Sequence, residues 1–314
     1  METIGRHANQ AVDAGAQPSS PPDLPKRRRR HARLVSGWLM LAPLLLFIIG
    51  FFVVPMLYIF YLSFIEVDEA SGHAAYGIQN YIKFFTDPYY MNSLWLTIKV
   101  SVYTVIVSLV LGYPVALTMS KCSPGVRGLL ALLVASPLLV SIVVRNFGWF
   151  LLLMPNGTIN QILTSLRIVD SPLKLLFSEI GVVIGMSNAY LPFMILAIAT
   201  SLYNIDPSLE KASSILGANP FRTFLSVTLP LSLPGIVSGV ALVFSMSMSS
   251  YVTPALMGGP NVPMMPVVVY DQILHLLRWT YGSAISYVLL GITLIMVTVF
   301  TRMFEKGRFR EAFR

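Results

Sequence analysis

Six runs of apolar residues decide what this chain can fold into. At about 36–64, 94–118, 128–154, 180–203, 226–256 and 282–304, each is near or above the roughly 20 residues a helix needs to cross the hydrocarbon of a bilayer. Inside lipid every backbone N–H and C=O needs a partner, and a helix supplies those partners within the segment. The expected fold class is therefore all-α, a polytopic membrane protein with six transmembrane helices. Composition agrees, because 55% of the 314 residues are hydrophobic, only 11% are charged and the mean hydropathy is +0.71. Pro43, Pro55, Pro114, Pro137, Pro192 and Pro254 interrupt the runs, which membrane helices tolerate when neighbours or water satisfy the freed carbonyls.

Three regions follow: a disordered basic N-terminal tail over 1–33, a membrane domain over 34–304 and a basic C-terminal tail over 305–314. The first apolar run is too long for the core of a cleaved signal, so it is read as a retained anchor. Of the 22 Lys and Arg, seven precede the first run, two lie between the second and third (Lys121, Arg127), two between the fourth and fifth (Lys211, Arg222) and five at the C-terminal end. These sixteen all fall on one side of the expected topology, which places both termini in the cytoplasm and requires an even number of spans. The same basic residues touch anionic membrane lipid, and no nucleic acid is needed to explain the net charge of +8.

Several function classes are excluded or weakened. Cys122 stands alone, so neither an intrachain disulfide nor a cysteine-rich metal site is expected. His7, His31, His73 and His275 are scattered over tail and loops, and neither a metal set nor a catalytic residue is assigned. No phosphate-cradling G-x-x-x-x-G-K-[ST] loop is present, so any ATP must be hydrolysed by another chain. An ion-gradient-driven secondary transporter is the alternative function, although no Asp or Glu lies well inside a run and no inverted repeat is evident.

The polar loop over 204–225 can itself fold. Asp206 suits an N-cap, Pro207 a first helical position and Gly217 the left-handed residue that closes a helix, giving a short helix of roughly ten residues. Asn219-Pro220 starts a second. Leu209, Ala212, Ile215 and Leu216 share a face of the first helix, while Glu210, Lys211, Ser213 and Ser214 occupy the rest. Such a helix lies on a surface and does not cross one.

Lys211-Ala212-Ser213, three residues, Gly217, nine residues and Val227-Thr228-Leu229-Pro230 has the spacing of the E-A-A, three residues, G, nine residues, I-x-L-P segment. It therefore resembles the membrane-spanning subunits of ABC importers. Asn92-Ser-Leu-Trp-Leu-Thr-Ile-Lys99, Gly112-Tyr-Pro-Val-Ala116, Val144-Arg-Asn-Phe-Gly-Trp149, Gly157-Thr-Ile-Asn160, Tyr190-Leu-Pro-Phe-Met194 and Val252-Thr-Pro-Ala-Leu-Met-Gly-Gly259 are similar to the spermidine/putrescine-type branch, as the first of two permease subunits. The resemblance covers about 36–304 and implies the type I ABC importer permease fold in a bacterial inner membrane. It also implies a second permease subunit, two ATPase subunits that bind ATP and magnesium, and an external substrate-binding protein; this chain itself would hold no cofactor. The cargo implied is a polyamine, an opine or another small amino compound.

By the same resemblance the short helix is the coupling helix that rests in a groove of an ATPase subunit, with Glu210, Lys211, Ala212, Ser213, Leu216, Gly217 and Ala218 at the joint. Two positions depart from the motif. Lys211 replaces an acid and Ser213 an alanine, while Glu210 lies one residue earlier and about 100° around the helix. Along the route through the membrane, Arg145, Asn146, Ser245, Ser249, Ser250 and Thr253 are the candidates. A guanidinium inside a span must face protein or water, so Arg145 either lines a gate or pairs with a helix C-terminus or a partner's acid. Hydroxyls on the fifth helix either face a polar passage or let helices pack closely. Lys99 is expected to snorkel to the headgroups, Glu179 and Asp271 to lie near the external face, and 173–177 to dip into the membrane or lie on it.

Overall fold

A computed structural model describes residues 41–67 and 74–306, and the chain divides into two units between Leu57 and Tyr58. The tail expected over 1–33, and the C-terminal tail from 307 onward, lie outside the described residues. Helix α1 covers Leu41–Ser63, with a π turn over Ile49–Val53 in the first unit. The second unit continues with a short antiparallel hairpin of β1 (Ile65–Val67) and β2 (Ala74–Tyr76), in which Ile65 pairs with Tyr76. Then come α2 (Gln79–Thr86), α3 (Pro88–Lys121), α4 (Pro124–Ala135), α5 (Ile142–Leu153), α6 (Thr158–Ser165) and α7 (Glu179–Tyr203). The rest is α8 (Pro207–Ile215), α9 (Pro220–Met248), α10 (Val252–Met257), α11 (Met265–Tyr270) and α12 (Trp279–Lys306).

Among the described residues, helices α1, α3, α7, α9 and α12 are each long and apolar enough to cross a membrane, and a sixth span is reached only if the bent pair over 124–139 and 142–165 counts as one. The single helix expected over 128–154 is corrected here. A 3-10 turn over Ser136–Leu139 ends α4, Val140 and Ser141 are extended with ψ of 135° and 132°, and the chain resumes bent by 88°. Pro137 in that turn lacks an N–H and so cannot continue the α-helical ladder. The fifth run also stops short of the expected 256: α9 ends at Met248, and residues 252–257 form the separate α10.

Helix α7 packs between α3 and α9. Met186, Met194 and Ile198 of α7 are fully buried with Met119 of α3 and with Val243 and Met248 of α9. Gly235 and Gly239, one turn apart on α9, let the backbones approach. A Cβ on Gly235 would lie 2.7 Å from the Ala197 carbonyl oxygen, and one on Gly239 would lie 2.8 Å from the Met194 sulfur. Small residues at this spacing are a recurrent way to bring membrane helices into contact. A second cluster joins α2, α3, α11 and α12 through Phe84, Tyr90, Met265, Tyr281 and Ile285.

Candidate coupling surface and translocation route

Helix α8 is held at both ends by its own residues. Asp206 Oδ1 accepts the Ser208 N–H at 2.8 Å, and the hydrogen bonds from Ser208 hold the Asp206 carboxyl below its ordinary range. At the other end Gly217 has φ of +83°, its N–H bonds the Ser214 carbonyl at 3.0 Å, and the Ala218 N–H bonds the Ser213 carbonyl at 3.2 Å. That pair of bonds satisfies carbonyls which would otherwise be orphaned where the helix stops. Asn219 then accepts the Arg222 N–H at 2.8 Å and restarts the chain as α9.

Two polar side chains of α8, Glu210 and Ser213, turn inward. Thr228 donates its hydroxyl to Glu210 Oε1 at 2.8 Å, and the Ser213 and Thr223 hydroxyls meet at 3.1 Å, so two bonds tie α8 to the first turns of α9. This gives Ser213, one of the two departures from the motif, and the neighbouring acid Glu210 roles within the chain. The serine has a partner that an alanine would lack, and the displaced acid is engaged within its own chain. Outward stand Lys211, Ala212 and an apolar tip, with Ile215 84% and Leu216 88% exposed. Phe221, 70% exposed, extends the tip from the next helix; the sequence reading missed it because it lies beyond the motif's glycine. A cleft of about 510 Å³ lies beside α8, between Lys121 at the end of α3 and Glu210 and Phe221.

The route candidates separate into three places. Asn146 of α5 and Thr253 of α10 are fully buried and joined by a 2.9 Å bond from Nδ2 to Oγ1. Asn146 Oδ1 is buried without a protein partner among the described residues. Ser250, three residues before Thr253, is buried as well. Arg145 reaches back across the break, where Nη1 donates to the Pro137 carbonyl at 3.1 Å. Of the arrangements open to it, this is the pairing with a helix C-terminus, where the positive charge meets a carbonyl that also accepts the Val140 N–H at 3.2 Å. Ser245 and Ser249 instead border a cavity of about 790 Å³ between α9, α11 and α12.

Two loops hold the broken pair and α10 in place. Asn160, buried, donates to the Met154 and Leu173 carbonyls at 3.1 and 3.0 Å and accepts the Leu173 N–H at 2.9 Å. The 173–177 segment is thus fastened to α6 on one side, and on the other the Phe177 N–H bonds the Met257 carbonyl at 2.9 Å. Lys99, expected to snorkel, also has a protein partner: its ammonium pairs with Glu179 at 2.7 Å, because the first turn of α7 lies beside α3 at that height. Thr97, from the same stretch of α3, accepts the Met265 N–H at 2.8 Å and so anchors the start of α11.

The sequence profile described as binding-protein-dependent transport system inner membrane component matches residues 102–307. The chain belongs to this family. The permease is 34% identical over 250 residues to the spermidine/putrescine transport system permease protein PotB of Haemophilus influenzae, covering 79% of this chain and 86% of that one. It is 31% identical over 269 residues to PotB of Escherichia coli, with coverage of 85% and 94%. The sulfoquinovosyl glycerol transport system permease protein SmoG of Agrobacterium fabrum is 29% identical over 279 residues, with coverage of 84% and 89%. In the crystal structure of a bacterial alginate ABC transporter in complex with an alginate pentasaccharide-bound periplasmic protein, one chain aligns with a TM-score of 0.72. That alignment covers 88% of the permease and 96% of the solved chain at 17% identity, a likeness of fold. The permease is thus a membrane subunit of an ABC importer with the type I fold, a transport component and not an enzyme. These likenesses give the ion-gradient alternative no support.

Proposed function

We propose that the permease imports a polyamine or a related small amino compound as one of two similar membrane subunits, working with two ATPase subunits that bind ATP and magnesium and with an external binding protein. Both termini then lie in the cytoplasm, the basic tails touch anionic lipid, and α8 seats in a groove of an ATPase subunit. The observation that carries the mechanism is the division of α8 into a bonded inner side and an apolar tip. Closure of the ATPase subunits pushes the tip, Gly217 keeps the helix end compact, and the Glu210–Thr228 and Ser213–Thr223 bonds pass the displacement to α9. Helix α9 carries Ser245, and Ser249 just past its end, beside the route, while Arg145, Asn146, Ser250 and Thr253 set the bend and the buried junction next to it. The cargo class follows the PotB relatives, whose match spans most of both chains.

Uptake of labelled spermidine and of sulfoquinovosyl glycerol by cells carrying the native gene or Leu216→Asp tests the reading. Spermidine uptake and co-purification of the ATPase are expected to fall at least about tenfold in the variant, as for an anchor at the centre of an interface. Full uptake and association in Leu216→Asp would dismiss the coupling role, and uptake of the sulfosugar alone would dismiss the cargo.

A further inference from the structure

In the sequence Arg127 is one of the charges that set topology, a role that asks nothing of its side chain beyond its sign. The structure gives it partners on two other helices. Its Nη2 donates to the Ser120 carbonyl, in the last turn of α3, at 3.1 Å. Had α3 run on, that carbonyl would take an N–H from residue 124, but Pro124 has none, so the guanidinium meets an acceptor at the negative end of a helix. Its Cζ lies 4.2 Å from the centre of the ring of Tyr203, the last residue of α7. That is well inside the roughly 6 Å over which a cation is drawn to an aromatic face. Both side chains are half-buried, and Arg127 Nε is buried with no hydrogen-bond partner among the described residues. Arg127 itself belongs to the first turn of α4, where its N–H bonds the Ser123 carbonyl at 2.9 Å. One guanidinium thus joins the ends of three helices.

Those ends stand at the base of α8. Tyr203 precedes Asp206, the N-cap of α8, by three residues, and Lys121 at the end of α3 borders the same cleft as Glu210. Helix α8 is tied to α9 through Glu210 and Ser213, and a push on it reaches α9 undiminished only if the other end of the loop does not give. We propose that Arg127 is a positioning residue of the coupling joint. Stacked on Tyr203 and bonded to the Ser120 carbonyl, it holds the end of α7 against the end of α3, so that displacement of α8 moves α9 and is not lost at the base of the loop. The proposal rests on the coupling role of α8 and does not depend on the cargo.

Spin labels on Cys122, the one cysteine of the chain, and on Ile215→Cys at the exposed tip report where α8 sits relative to α3 in the purified full-length permease. The native distance distribution is expected to be single and narrow. Arg127→Lys keeps the charge that topology reads but lacks the planar face, and Tyr203→Leu removes the ring. Each is expected to broaden the distribution and to lower spermidine uptake per ATP hydrolysed by the assembled complex about threefold, the scale of one cation–π contact. Combining the two should do no more than either alone, because they remove the same contact. Tyr203→Phe keeps the ring and removes a hydroxyl that is buried without a partner among the described residues, so it should match the native protein in both measurements. Unfolding midpoint and co-purification of the ATPase are compared first, and if Arg127→Lys does not assemble, the contrast between Tyr203→Leu and Tyr203→Phe decides. A native distribution in the folded Arg127→Lys and Tyr203→Leu proteins overturns the proposal, and so does native uptake per ATP beside a broadened one. A native complex that takes up no spermidine overturns the cargo reading instead, and the distances still decide this one; the coupling reading itself is judged separately by Leu216→Asp.

Discussion

Helix α8 and the junction between α5 and α10 use polar side chains in opposite ways. On α8 Glu210 and Ser213 turn inward as fasteners, while apolar residues face out and can meet something else. At the junction Asn146 and Thr253 are sealed inside apolar surroundings, and Asn146 Oδ1 has no protein partner among the described residues. The bonds differ in reach as well. Glu210 and Thr228 are 18 residues apart in sequence, Asn146 and Thr253 are 107 apart. A surface that works by contact can be built from one local segment, whereas a buried polar pair exists only after distant helices have packed.

If that contrast is right, substitutions in the interior should be read in stability and those at α8 in partnership. Unfolding midpoints in mild detergent and co-purification of the ATPase place both on common scales. The largest loss is expected from Gly235→Val, where the new side chain would drive into the α7 backbone at Ala197; about 3 kcal/mol is the scale of such overpacking. Next is Asn146→Ala, expected to cost about 2 kcal/mol because Thr253 loses its buried partner. Gly217→Val should cost least, about 1 kcal/mol, as the penalty of a branched side chain at φ of +83° where a Cβ would meet open space. Yet Gly217→Val should lower ATPase association far more than Asn146→Ala does. Equal effects of the two on association would erase the distinction between the regions.

Much of α8 was legible because its determinants are neighbours in sequence. A cap at Asp206, a proline at the first position and a glycine at the close set its limits, and motif spacing set its place in the family. Glu210 was harder. Its distance from the motif position was visible, but its engagement with Thr228 depended on how α9 leaves the loop. The break after α4 escaped because hydropathy runs through it without interruption, and Pro137 alone does not distinguish a kink from an 88° turn. The ion pair of Lys99 was not legible for a related reason, since its partner Glu179 lies 80 residues away. The Gly235 and Gly239 pair was present in the sequence as a small-residue spacing and went unread beside the stronger signals of the loop.

By itself the sequence determined the solvent of this protein, five of its apolar helices and the chemistry of its foldable coupling loop, since hydrophobicity and helix capping act within a few turns of chain. Only the tertiary structure decided which hydroxyls face a cavity and which are sealed, where the third crossing bends, and that Arg145 serves the Pro137 carbonyl. Those outcomes depend on which helices touch, and in a chain apolar on nearly every face the packing of small residues, not the hydrophobic pattern, makes that choice.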